Sequence, residues 1–379
     1  MPSRHDRGEA RPRWDLFCAV VDNLGDAAIC WRLARQLATE HGLDVRLWID
    51  RPEALASMVP GAAPGTRLDG VRIERDDRAD PRLAATGPAE VADVVVTVLA
   101  ATLPDAYRVA MRVRRPPAIW ITLEYLSAED WVATHHGLPS PKPDGLVEHW
   151  FFPGFDARTG GLLREAALPA RRAAFVADPR ARAALLASLG VEPRPGERLA
   201  SLFCYPDAAV RPLLDAFGAR PEPWRVLVPR GVAPTAAGHP LAVPIPFVPQ
   251  RDYDALLWSC ALNFVRGEES FVRALWARGP MVWQAYRQPE GAHRPKVRAF
   301  VAAWCRDAAP DPRAAAAFAA MHEAWNAAPE ASAGLLGAAL PDLLEVLPAL
   351  AEAGDRWAHA HASTPDLATR LVGFVRDRL

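Results

Sequence analysis

Short, nearly unbroken apolar runs alternate along this chain with stretches whose apolar positions recur every three or four residues. WDLFCAVV (14–21) precedes a helical pattern over 27–41, and DVRLWI (44–49) precedes one over 52–59. VRIER (71–75), ADVVVTVLA (92–100) with a helical stretch over 104–114, and AIWITLEYL (118–126) continue the series. Strands apolar on both faces and separated by helices predict a parallel sheet covered on both sides, a Rossmann-like unit. An Ala/Arg-rich helical stretch over 170–189 and the Pro/Gly-broken GVEPRPGER (190–198) close that unit.

The alternation then restarts. RLASLFCY (198–205), WRVLVP (224–229), VPIPFVP (243–249), LNFVRG (262–267) and PMVWQA (280–285) alternate with helical patterns over 207–217, 251–260, 269–278 and 294–305. The expected architecture is α/β: two Rossmann-like domains facing each other across a cleft at the carboxyl ends of their strands. The expected boundaries are a disordered tail over 1–13, a first domain over 14–185, a second over 186–365, and a final helix over 366–379 that could return to the first domain. At 379 residues and 50% hydrophobic, the chain can fill two cores.

Composition narrows the picture by exclusion. Lys and Arg number 44 against 45 Asp and Glu, so no global basic field points to nucleic acid. The charged start MPSRHDRGEARPR leads into no apolar core of a secretory signal, and ASAGLLGAALPDLLEVLPAL (331–350) is interrupted by Pro, Asp and Glu, against a membrane span. Five cysteines (18, 30, 204, 260 and 305) form no CxxC pair, and buried reduced thiols in a cytoplasmic protein are expected.

Three polar concentrations carry candidate chemistry. In VVDNLGDAAICWRLARQL, Asp22 and Asp26 occupy the turn between the first strand and the first helix. Two readings are open there: Asp26 as helix N-cap with Asp22 as turn residue, or a pair of carboxylates at the ligand-binding edge of the sheet. The turn lacks GxGxxG, and the chain has no Walker A loop. A magnesium site has no third ligand beside the pair, and His135–His136 has no Cys or His set around it. In LNFVRGEESFVRALW, a strand runs through Arg266 and Gly267 into a helix start where free N–H groups and a guanidinium suit a diphosphate. Glu268, Glu269 and Ser270 follow: the acids either stabilise the helix N-terminus or accept hydrogen bonds from sugar hydroxyls. Phe203, Tyr205, Phe247 and Tyr253, with Gln250 beside them, are either core or a stacking platform for a base whose edge the amide reads.

Taken together, WDLFCAVVDNLGDAAICWRLARQL, LEYLSAEDWV, HGLPSPKP, FFPGF with TGGLLRE, SLFCYP, the long block from Phe247 to Trp276, and KVRAF resemble the bacterial protein-arginine rhamnosyltransferases that modify elongation factor P. The resemblance covers about Trp14 to Cys305. It implies a GT-B fold and transfer of L-rhamnose from dTDP-β-L-rhamnose to an arginine side chain of elongation factor P, with inversion and without a metal or other cofactor. It further implies Asp26 as general base, Asp22 as a second essential acid and Glu268 as a third catalytic acid. Phe203, Tyr205, Phe247, Gln250 and Tyr253 line the donor pocket in this reading, and Arg266, Glu268, Glu269 and Ser270 surround its ribose and diphosphate. Glu269 stands where the family is expected to carry Asp, and Tyr253 where some relatives carry Phe. The second domain is then expected to hold the donor largely alone, and the first to dock the acceptor. Two other readings stay open at this level: a GT-B glycosyltransferase with a glycan or lipid acceptor, and a non-catalytic nucleotide- or protein-binding module.

Overall fold

The computed structural model describes residues 12–22, 24–78, 80 and 85–378. Residues 1–11 of the expected tail lie outside that set. Arg13 does not belong to a tail, because its N–H donates to Asp93 at 2.7 Å and its guanidinium to the carbonyls of Ala89 and Val91.

The first sheet contains β1 (Arg13–Cys18), β2 (Asp44–Ile49), β3 (Arg67–Leu68), β4 (Val71–Arg75), β5 (Val94–Val98), β6 (Ile119–Leu123), β7 (Pro139–Pro141) and β8 (Val147–Phe151). Its order is β3-β4-β2-β1-β5-β6-β8-β7. Pairing is parallel from β4 through β8, and the short edge strands β3 and β7 run antiparallel to their neighbours. The second sheet contains β9 (Arg198–Leu202), β10 (Trp224–Pro229), β11 (Ala242–Ile245), β12 (Leu262–Arg266) and β13 (Met281–Gln284), parallel throughout in the order β11-β10-β9-β12-β13. Each sheet therefore reverses its strand order beside its first strand, β1 or β9. Crevices at such switch points are where α/β sheets take ligands.

Apolar runs became strands because both faces are covered: Val94 to Val98 and most of β1 are buried. Cys30, Leu33, Ala34 and Leu37 form the inner face of helix Gly25–Thr39 and pack with Trp14, Leu16 and Leu47 in the first core. Helix Leu367–Arg376 contributes Leu367, Leu371, Val372 and Val375 to this same core, although it follows the whole second domain in sequence. The helical stretch expected over 170–189 is two helices, Leu168–Ala177 and Pro179–Ser188. The chain breaks at Asp178, whose carboxylate accepts the Arg180 N–H ahead of a proline-started helix. In the second core, Phe271 and Trp283 stack at 4.3 Å and fix the helix that follows β12 against β13. Among the described residues, no single helix is long and apolar enough to cross a membrane.

Candidate active site

The first-domain turn is short and internally closed. The Asp22 carbonyl accepts the Gly25 N–H at 2.8 Å, and the helix starts at Gly25 with Leu24 in the capping position. Asp26 is therefore not the N-cap. It sits in the first helical turn, 4% exposed, and its Oδ2 reaches back to accept the N–H groups of Val21 and Asp22, each at 2.8 Å. Burial raises its pKa above the ordinary carboxylate value, those two N–H groups pull it down, and Asp50 pushes it up. Asp22 is half-buried and faces the other domain, where its Oδ2 accepts the Tyr205 hydroxyl at 2.7 Å. Its pKa is also raised, by burial first, against the lowering effects of Tyr205 and Arg266.

The opposing turn comes from β12. Gly267 has φ +60, and a Cβ there would lie 2.9 Å from Asp22 Oδ2 and 3.2 Å from the Tyr205 hydroxyl. Glycine is required for the backbone conformation and for the approach of the two domains. The Arg266 guanidinium lies 4.5 Å from the Phe203 ring centre and 4.8 Å from that of Tyr205, and donates to the Cys204 carbonyl at 2.7 Å. Ser270 Oγ accepts the Arg266 N–H at 3.1 Å, tying helix Glu269–Ala277 back onto the strand end. Glu268 Oε2 accepts the Leu126 N–H of the first domain at 2.9 Å, and its Oε1 takes Lys296 at 3.2 Å. Burial raises the Glu268 pKa and Lys296 opposes the rise. Glu269 turns towards the first domain, where its Oε1 accepts Arg32 Nε at 2.5 Å.

Two cavities meet at Asp22 and Gly25. One, of about 50 Å³, is lined by Phe203, Phe247, Gln250, Tyr253, Arg266, Glu269 and Ser270 together with Leu24, Ala28 and Met58. The other, of about 260 Å³, holds Asp22, Asp26, Glu268, Tyr205, Tyr125 and Lys296. The first is ring-walled: Phe203 meets Phe247 at 6.4 Å and Tyr253 at 6.3 Å, both edge to face. The second is wider and carries the three carboxylates.

All the residues singled out in the sequence border one of these cavities, but two are oriented differently from the expectation. The Gln250 amide nitrogen donates to the Ala28 carbonyl at 2.9 Å, so the donor side of the amide is engaged by the first domain. Glu269 is engaged by Arg32, not turned freely to the pocket. The pocket built on the second domain is also not closed by that domain alone, since Asp22, Leu24, Gly25, Ala28 and Met58 form its opposite wall. Sequence reasoning missed Tyr125, 39% exposed and lining the wider cavity, Lys296 beside it, and Arg32 bonded to Glu269 and Gln250. Tyr125 and Lys296 do lie in LEYLSAEDWV and KVRAF, and Lys296 Nζ stands 5.6 Å from the Tyr125 ring centre. Their signal was membership of those blocks; no local pattern marks them.

Comparison with known proteins bears on this geometry. A family model for elongation factor P (EF-P) rhamnosyltransferase, EarP, matches residues 14–376. The protein-arginine rhamnosyltransferase of Pseudomonas aeruginosa is 44% identical over 386 residues, covering 97% of this chain and 99% of the relative. That of Shewanella oneidensis is 33% identical, covering 96% of this chain and 97% of the relative. A solved structure described as the basis for EarP-mediated arginine glycosylation of translation elongation factor EF-P superposes with TM-score 0.66 at 32% identity, over 97% of this chain and 100% of that one. Spinosyn rhamnosyltransferase SpnG superposes with TM-score 0.51 at 11% identity, over 97% of this chain and 100% of that one, a likeness of fold alone. The fold in common is GT-B.

Proposed function

This chain belongs to the EarP family of elongation factor P rhamnosyltransferases, and from that premise we propose how its cleft transfers L-rhamnose from dTDP-β-L-rhamnose to an arginine side chain of elongation factor P. It is an inverting glycosyltransferase. The observation that carries the mechanism is the meeting of the two strand-to-helix turns, Asp22 and Asp26 on one side and Arg266 to Ser270 on the other, with Tyr205, beyond β9, donating to Asp22 beside Gly267.

In this reading the donor nucleotide lies among Phe203, Phe247 and Tyr253, and its diphosphate meets Arg266 and the N-terminus of helix Glu269–Ala277. Leaving-group charge is stabilised there as the sugar passes through an oxocarbenium-like state. The acceptor arginine enters the wider cavity. Its guanidinium is neutral in only roughly one molecule in 10⁵ to 10⁷ at pH 7, so prior deprotonation is not the route. Asp22 and Glu268 hold the cation by charge-assisted hydrogen bonds, and Asp26 accepts the proton as the new C–N bond forms and the C–O bond to the diphosphate breaks. Asp26 suits that role because its Oδ2 is fixed by two backbone donors while burial favours protonation.

The chemistry supplies leaving-group stabilisation from protein groups, so we assign it no metal or other cofactor. The acceptor is a translation factor and the chain carries five free thiols, which supports a cytoplasmic enzyme, with neither nucleic acid nor membrane as partner. The test is intact-mass measurement of elongation factor P after incubation with dTDP-β-L-rhamnose and this protein. One added deoxyhexosyl residue, mapped to arginine, is expected. No mass gain, or gain on a residue other than arginine, would overturn the assignment.

A further inference from the structure

Arg32 is 2% exposed and projects from helix Gly25–Thr39 of the first domain into the boundary between domains. Its Nε donates to Glu269 Oε1 at 2.5 Å, its Nη2 to the Gln250 carbonyl at 3.3 Å and its Nη1 to Glu165 Oε1 at 2.9 Å. Glu269 and Gln250 are both polar members of the ring-walled cavity. Gln250 is held a second time by the same helix, through the Ala28 carbonyl, and its amide nitrogen stands 3.5 Å from Glu269 Oε1.

Behind Arg32, Arg273 pairs with Asp254 at 2.6 Å and with Glu165 at 2.6 Å. The cluster sets the carboxylates of Glu165, Asp254 and Glu269 against the guanidiniums of Arg32 and Arg273, with the exposed Arg171 3.9 Å from Asp254. Without Arg32, Glu269 would be a buried carboxylate without the ion pair that holds its side chain in place. Lysine cannot replace the arrangement, because a single ammonium does not span the three acceptors that the planar fork reaches.

We infer that Arg32 is a positioning residue of the nucleotide-sugar site: a first-domain cation that fixes Glu269 and Gln250 of the second domain, so that donor affinity depends on the docking of the two domains. The inference rests on the dTDP-sugar reading above. The length of Glu269 fits it, since an aspartate would place its carboxylate about one methylene short of Arg32.

Calorimetric titration of the full-length protein with dTDP alone tests it, because no acceptor takes part. Arg32→Gln is expected to weaken dTDP binding tenfold or more, Glu269→Gln similarly, and the double variant no more than the weaker single one. Glu165→Gln removes the nearer of the two carboxylate partners, Glu165 and Asp254, that Arg32 has outside the pocket. It should lower the melting temperature and leave dTDP affinity within twofold. Arg32→Lys keeps a buried cation if Arg32→Gln does not fold, and the same loss is expected. A folded Arg32 variant with wild-type affinity, additive losses in the double variant, or a loss in Glu165→Gln equal to that in Arg32→Gln would each overturn the inference. Wild-type protein that fails to bind dTDP would overturn the donor reading along with it.

Discussion

The two turns that face each other in the cleft have the same outline, strand, glycine-containing turn, acid-bearing helix start, and opposite dependencies. In the first-domain turn Asp26 is satisfied by the local backbone, binding the N–H groups of Val21 and Asp22, five and four residues away, and Asp22 reaches across, to Tyr205. The turn around Glu268 and Glu269 is satisfied by the other domain, through Leu126 and Arg32. The proposed base, Asp26, needs a fixed position whatever the domains do, and its local bonding supplies that. A donor pocket must admit and release a nucleotide, and cross-domain bonding lets its shape follow closure.

The sharpest break of this comparison is Asp26→Asn. The amide oxygen can still accept both N–H groups, so the turn survives while the proton acceptor is lost. Transfer should fall by about 10² to 10⁴-fold, with dTDP affinity unchanged in calorimetry. Substantial residual transfer would remove Asp26 from the base role. Stability sharpens the same point. Because burial raises the folded pKa, the carboxyl group's stabilising contribution is present below the unfolded value of about 3.9 and is lost as pH rises through the folded value. At neutral pH the asparagine variant should therefore melt no lower than the wild type, measured by calorimetric scanning.

Next in size is Gly267→Ala, where the added methyl meets both Asp22 Oδ2 and the Tyr205 hydroxyl in a left-handed backbone conformation. The backbone cost alone is about 1 to 2 kcal/mol, and the contact between the turns should open. Loss of both donor affinity and transfer is expected, and wild-type values for both would show that the turns need not touch. Phe247→Ala should weaken dTDP binding by about 1 to 3 kcal/mol, the range for bases stacked on aromatic platforms, and leave the melting temperature nearly unchanged. An unchanged affinity would return Phe247 to a packing role. The smallest effect is on pH dependence. The raised pKa values of Asp22, Asp26 and Glu268 should move the acid limb of kcat/KM above the ordinary carboxylate value of about 4. A limb at or below that value in the wild type would mean that none of the three titrates in the rate-limiting step.

What could be read from the sequence divides along the same line. Strands apolar on both faces, such as VVVTV, announce themselves because the code for them is local, and so did the turns with their acids. The edge strands β3 and β7 escaped because two or three half-exposed residues carry no apolar period, and Asp178 escaped because its break lies inside an Ala/Arg-rich helical stretch. The orientations of Glu269 and Gln250 were not legible, since their partners Arg32 and Ala28 are 237 and 222 residues away. Of the two readings open for Asp26, the cap fails for a subtler reason: the side chain does bind backbone N–H groups, but those of the preceding residues Val21 and Asp22.

Helix Leu367–Arg376 carries a consequence for biosynthesis. Its apolar face completes the core beneath β1, yet it leaves the ribosome only after every strand of the second sheet. By chain order alone, the apolar surface that this helix covers has no cover until the second domain has been made. The domain made first is thus the one closed by the last helix, and the turn at the end of β1 that carries Asp22 and Asp26 rests on a core that needs that helix.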